Sequence, residues 1–179
     1  MSSDLCTITV SVSDGSSSAS DTFTLTVNAS PRQVWWIANL GTTDYSGNAA
    51  ANADPDGDNV VNLAEWAFGL NPNVSDGGGI AISGAAITQR GNPVVTIANT
   101  AFGVDYRALF GRRKDYVSAG LTYTVQFSAD MSSGSWEDSA DIPTVIASDA
   151  EMDAVTVPYP FFMTTGDKAQ FFRVRITLP

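Results

Sequence analysis

"ADPDGDNVVNLAEWAFG", residues 53–69, is the stretch from which the rest of the chain is best read. Asp54, Asp56 and Asp58 occupy alternate positions, and Asn62 and Glu65 follow. Carboxylates this close repel one another, and a fold tolerates them only where something cationic neutralises them. Counting Asp54 as position 1 puts Asp56 at 3, Asp58 at 5, Val60 at 7, Asn62 at 9 and Glu65 at 12. That is the ligand spacing of a calcium loop of the EF-hand type, in which position 7 gives a backbone carbonyl and position 12 a bidentate glutamate. A hard cation takes about six to eight oxygens, and a tight loop converges alternate side chains on it. Magnesium prefers fewer protein ligands and a rigid octahedron, so calcium is the cofactor expected. The competing reading, a solvated acidic turn, leaves six positions in register unexplained.

One departure marks the loop. Its sixth position, where glycine normally makes the sharp turn, is Asn59, and Gly57 stands at the fourth. Asparagine is the best non-glycine residue for a left-handed backbone, so the turn should survive. Val61, at position 8, is expected to pack into a core behind the loop.

Helices flank the acids. "NLAEWAF" (62–68) places Leu63, Trp66 and Ala67 on one side, stops at Gly69 and has Pro72 beyond. Upstream, "SPRQVWWIANLG" (30–41) carries Ser30 as N-cap, Pro31 in the first turn and Gln33 to complete a capping box. Val34, Ile37 and Ala38 share a face, and Gly41 can end the helix left-handed. Trp35 and Trp36 cannot both bury in one direction on so short a helix, so one should pack on a second element.

The remainder alternates with period two. "CTITVSV" and "TFTLTV" form an N-terminal hairpin around "SDGSSSASD", with Cys6, Ile8, Val10, Val12, Phe23, Leu25 and Val27 on one apolar face. Cys6 is read as a buried thiol, with an intermolecular disulfide as the alternative. From residue 80 onward, "PVVTI", "YRALF", "LTYTVQFS", "TVIA", "AVTVP" and "FRVRITL" read as short strands. The chain is therefore expected to be mainly β: an antiparallel β-sandwich with an N-terminal β-hairpin and a small two-helix, EF-hand-like calcium segment. The divisions expected are 1–29 for the hairpin, 30–76 for helix–loop–helix and 77–179 for the sandwich, with "GGG" (77–79) as a hinge.

Charge narrows the function classes. A net charge of −10 with only nine Lys and Arg opposes nucleic acid and anionic membrane surfaces. No apolar run is long enough for a membrane helix, so no membrane insertion is expected. "MSSDLCTITV" (1–10) lacks the regions of a signal peptide, leaving either a removed leader or a piece of a longer chain. With no histidine, the commonest general base and the Ser–His and Cys–His pairs are missing. Asp149/Glu151 and Asp138/Asp141 are paired acids of the kind glycosidic chemistry uses, but acids on turns are normally solvated. "GRRK" (111–114) reads as a solvated strand end or a docking patch for an acidic neighbour. Trp35, Trp36, Trp66 and Trp136 are the candidate sugar platforms, with Trp66 and Trp136 read first as core.

"ADPDGDNVVNLAEWAFGLNP", preceded by "SPRQVWWIANLG" and followed by "LTYTVQFSADMSSGSWED" and "FFRVRITLP", resembles a C-terminal module of large secreted bacterial surface proteins. The "DPDGD..N..E" core is similar to dockerin and thrombospondin type 3 calcium loops. "ITVSVSDGSSSASDTFTLTVN" looks like the last two strands of a cadherin-like or Ig-like repeat. The resemblance implies an extracellular or cell-surface location, calcium dependence, a non-catalytic structural or attachment role, and no catalytic residues. The leading expectation is thus a calcium-stabilised structural module. Its partners would be neighbouring domains of a surface protein, or other copies reached by strand donation from the hairpin, which in series makes a filament. The alternative is a carbohydrate-binding or attachment module of a secreted enzyme, with a glycan as partner.

Overall fold

The computed structural model describes residues 3–101 and 103–178. β1 (Ser3–Ser13) and β2 (Ser18–Asn28) pair antiparallel, with Cys6 opposite Leu25 and Ile8 opposite Phe23. Asp14 closes the turn, its Oδ1 accepting the N–H groups of Ser16 and Ser17 at 2.9 and 2.7 Å. The apolar face forms as the alternation requires, but it stays in solvent. Val12 is 70% exposed and Phe23 51%, and Cys6 is exposed, which corrects the expectation of a buried thiol. The thiol's face is apolar in pattern only, because the hairpin packs chiefly on itself.

α1 (Pro31–Leu40) begins with a complete capping box. Ser30 Oγ accepts the Gln33 N–H at 3.2 Å, and Gln33 Oε1 accepts the Ser30 N–H at 2.9 Å. Gly41, at φ 70°, ends the helix by donating to the Ile37 carbonyl. The helix faces the body differently from expectation. Val34, Ile37 and Ala38 are exposed, and the buried residue is Trp36. The indole decides the orientation: its Nε1 donates to the Ala49 carbonyl at 2.7 Å, and its ring meets Trp66 edge-on at 5.6 Å. Arg32 covers the outer side of this cluster, its guanidinium 4.0 Å from the Tyr45 ring centroid.

α2 (Asn62–Phe68) follows the acidic loop and ends at Gly69, which is left-handed at φ 75°. Then come β3 (Ala81–Ser83), β4 (Ala86–Gln89), β5 (Val94–Thr100), β6 (Gly103–Arg113), β7 (Thr122–Ser128), β8 (Glu137–Asp138), β9 (Thr144–Ser148), β10 (Met152–Pro158) and β11 (Phe171–Thr177). They form a six-stranded sheet, β3-β4-β9-β10-β6-β5, and a three-stranded sheet, β11-β7-β8. The protein is mainly β, with two α-helices and several sheets. Pairing between named strands is antiparallel except for β4 with β9, where Ala86 lies beside Ser148 in parallel.

One core joins what the sequence divides. Val60, Phe68 and Leu70 from the helical segment pack with Phe110 and Val155 of the larger sheet and Phe127 of the smaller. Packing therefore crosses residues 76/77. Val60, not Val61, is the loop residue in that core: Val60 is buried and Val61 only half-buried. The "GGG" stretch, read as a hinge, is close-packed. Gly79 bridges to Asn92, and a Cβ added at Gly79 would stand 2.5 Å from Val94 Cγ1. Trp136 is half-buried under the Arg173 guanidinium, 4.3 Å from its ring centroid, rather than in the core.

Candidate metal centre

The acidic loop is held by its own carboxylates. Asp54 accepts the N–H of Gly57 through Oδ1 and that of Asn59 through Oδ2, both at 2.9 Å. Asp56 Oδ1 accepts the Asp58 N–H at 3.2 Å, and Asp58 Oδ1 accepts the Val60 N–H at 2.8 Å. These bonds curl the backbone so that the three side chains converge. Asn59 is left-handed at φ 70°, as its place in the loop requires, and Gly57 is as well at φ 78°. The ends of the loop are tied together by Asn62 N–H to Ala53 O at 2.8 Å and Leu63 N–H to Ala51 O at 2.9 Å.

One oxygen from each of Asp54, Asp56 and Asp58 can be chosen so that all lie within 4.8 Å of one another, close enough to hold a metal ion. Glu65, on α2, lies outside that group of three, as does Asp76. The Glu65 side chain is fully buried, and neither carboxylate oxygen has a hydrogen-bond partner. Burial pushes its pKa up to about 8, and the charges of Asp56, Asp58, Asp76 and Asp54 add to the rise. Asp56 Oδ2 and Asp58 Oδ2 are likewise buried and unpartnered. Leaving such oxygens bare costs about 1–3 kcal/mol each, more when charged. An oxygen-only set with orphaned lone pairs fits a hard cation.

The other two expected positions have visible tasks. Val60 buries its side chain and rests its N–H on Asp58. Asn62 donates from Nδ2 to the carbonyls of Asn48 and Ala50, both at 2.8 Å, while its buried Oδ1 has no partner. The helix that carries Glu65 is fixed from the other side by Tyr123, whose hydroxyl donates to the Ala67 carbonyl at 2.7 Å. Burial raises the pKa of that phenol.

Sequence spacing misses Asp76. Burial pushes its pKa up, as do the charges of Asp58 and Asp56, against a lowering hydrogen bond from the Asn71 backbone. Its Oδ1 is buried without a partner. No loop register reaches a residue so far downstream, and the only signal is an acid next to close-packed glycines.

Of the remaining candidates, Asp141 is exposed and most others are engaged elsewhere. Arg90 Nε lies 2.8 Å from Asp149 Oδ2, and its Nη1 lies 2.9 Å from Glu151 Oε2. Asp138 accepts from Gln126. In "GRRK", Arg113 pairs with Asp115 at 2.8 Å, Arg112 lies over Tyr116, and Lys114 donates to the Asp149 carbonyl. Trp36 and Trp66 are fully buried. A separate open cleft of about 870 Å³ is lined by Tyr106, Tyr159 and Phe161, with Asp105 and Lys168 as its charged members. No helix among the described residues is long and apolar enough to cross a membrane. No protein-family model, curated protein or solved structure matches the chain.

Proposed function

We propose that this chain is a non-enzymatic, calcium-stabilised structural module of an extracellular bacterial surface protein, with its N-terminal hairpin as the element of self-association. The observation that carries the reading is Glu65: a fully buried carboxylate with two bare oxygens, electrostatically coupled to the loop aspartates. Asp54, Asp56, Asp58 and Glu65 supply the side-chain oxygens, Val60 its carbonyl and Asn62 its amide oxygen. The fold built on them is a β-sandwich whose two sheets close over the shared core. The exposed apolar face of the hairpin supports addition to a neighbouring molecule, since two strands alone are marginal in water.

Thermal melting in calcium and in chelator tests the cation. Wild type should melt higher in millimolar calcium, by a margin that grows with calcium concentration. Glu65→Gln, which removes the charge without removing volume, should lose that calcium-dependent gain. A wild-type melting temperature that is the same in calcium and chelator would exclude the reading.

A second reading, glycan binding, has one observation in its favour: the open cleft between Tyr106, Tyr159 and Phe161. Mixed apolar and polar linings of this kind suit small ligands. A glycan panel probed with wild type and Tyr106→Ala separates the two readings, because structural assembly predicts no Tyr106-dependent binding.

A further inference from the structure

We propose that Asp76 is a ligand of the same cation, so that the ion fastens the acidic loop to the strap that leads into the six-stranded sheet. This rests on the cation reading above and extends it to a residue outside the loop register.

Three observations meet at this point. Asp76 Oδ1 is buried and has no partner. The backbone next to it touches the loop: a Cβ added at Gly77 would stand 2.7 Å from Asp58 Oδ2 and 3.2 Å from Val60 Cγ2. Glu65, fully buried with both oxygens bare, adds two further acceptors that no protein donor fills. Protein cations do not pair with them either. Among the described residues, the ion pairs of Arg90, Arg107, Arg113, Lys114 and Arg175 all go to other acids. Asp54 has both oxygens on backbone N–H groups, which offsets part of its charge and leaves room for a further carboxylate around a divalent ion.

The strap is already fixed on its far side. Asn92 Nδ2 donates to the Gly77 carbonyl at 2.6 Å, the Asn92 N–H to Gly78 O at 2.7 Å, and the Ile80 N–H to Asn92 O at 3.0 Å. Asn92 stands just ahead of β5. An ion held by both Asp76 and the loop therefore closes a mechanical path from α2, through the strap, to the edge of the larger sheet. Without it, the loop side of the strap is a set of facing carboxylates that push apart.

Calcium titration calorimetry on wild type and Asp76→Asn, with Asp21→Asn in the exposed hairpin as control, tests the ligand. Hydrogen exchange of the Ile80 and Asn92 amides in wild type, with and without calcium, tests the coupling and needs no variant. The expected result is calcium affinity at least tenfold weaker in Asp76→Asn, unchanged in Asp21→Asn, and calcium-dependent slowing of exchange at both amides. If Asp76→Asn binds within twofold of wild type and the two amides exchange alike in both conditions, Asp76 is no ligand, although the loop still binds calcium. If wild type takes up no calcium at millimolar concentration, the ligand and the cation reading fall together.

Discussion

Gly91 lies so close to Gly78 that a Cβ at position 91 would stand 2.4 Å from the Gly78 carbonyl oxygen, with Ile80 N at 2.6 Å. Both obstacles are backbone, which cannot rotate aside. Gly91→Ala should therefore destabilise the protein by about 2–3 kcal/mol, at the upper end of overpacking costs. Gly84 is the control. It has open space but φ of +58°, so Gly84→Ala should cost only about 1–2 kcal/mol of backbone strain. Urea unfolding of the two variants gives the comparison, and equal midpoints would refute the seam.

Trp36→Phe removes the indole N–H while keeping most of the ring. The Ala49 carbonyl would be left inside without its donor, at a cost of about 1–3 kcal/mol. The smaller ring also fills less of the space against Trp66. A drop in the urea midpoint with an unchanged slope is the expected outcome.

The acid limb of stability should contain Asp149. Its burial would raise its pKa, but the Arg90 hydrogen bond and the N–H groups of Glu151 and Met152 outweigh this and bring it from the ordinary 3.8 down to about 2. A depressed carboxylate contributes stability that is present above its unfolded pKa and lost as pH falls through the folded one. The window is thus about pH 4 to pH 2. Allowing for solvent screening, the contribution is about 1–2 kcal/mol. Stability measured across that window should fall less steeply in Asp149→Asn than in wild type.

Much of the candidate site was legible because it is local. The convergence of Asp54, Asp56 and Asp58, the capping box of α1, Gly41, Gly69 and the left-handed Asn59 are each set by residues a few positions apart. What failed depended on distant chain. α1 turns Val34 and Ile37 outward because Ala49 and Trp66 hold the Trp36 indole, and period alone cannot rank an indole with a partner above two aliphatics. Asp76 lies outside the loop register, next to the glycine seam, where no spacing rule points to it. β3, β4 and β8 are two to four residues long, too short to show a period. Cys6 follows its strand's alternation faithfully, yet alternation says which face a residue is on and not whether that face is covered.

A chain beginning at Ser30 tests the hairpin. Because Val10, Val12, Phe23, Leu25 and Val27 are all about half exposed or more, the body should lose little by their removal. The expected change in unfolding free energy is within about 0.5 kcal/mol, as for surface changes generally. Sedimentation should show association for the full chain and a monomer for the shortened one. Destabilisation by several kcal/mol would mean that the hairpin packs on its own body.

The parallel pairing of Ala86 with Ser148 joins residues far apart in the chain. Bringing those residues together closes a long stretch of chain, and such non-local pairings are slow to form. The hairpin needs only the turn between Ser13 and Ser18, and hairpins form in about 1–10 μs. For much of refolding, then, a β1–β2 ribbon that is marginal on its own is attached to a body that has not yet closed. Ribbons of different molecules meet at a rate set by concentration, whereas closure of the body is unimolecular. Dilution on refolding should therefore select lone molecules, and crowded refolding should select pairs joined ribbon to ribbon.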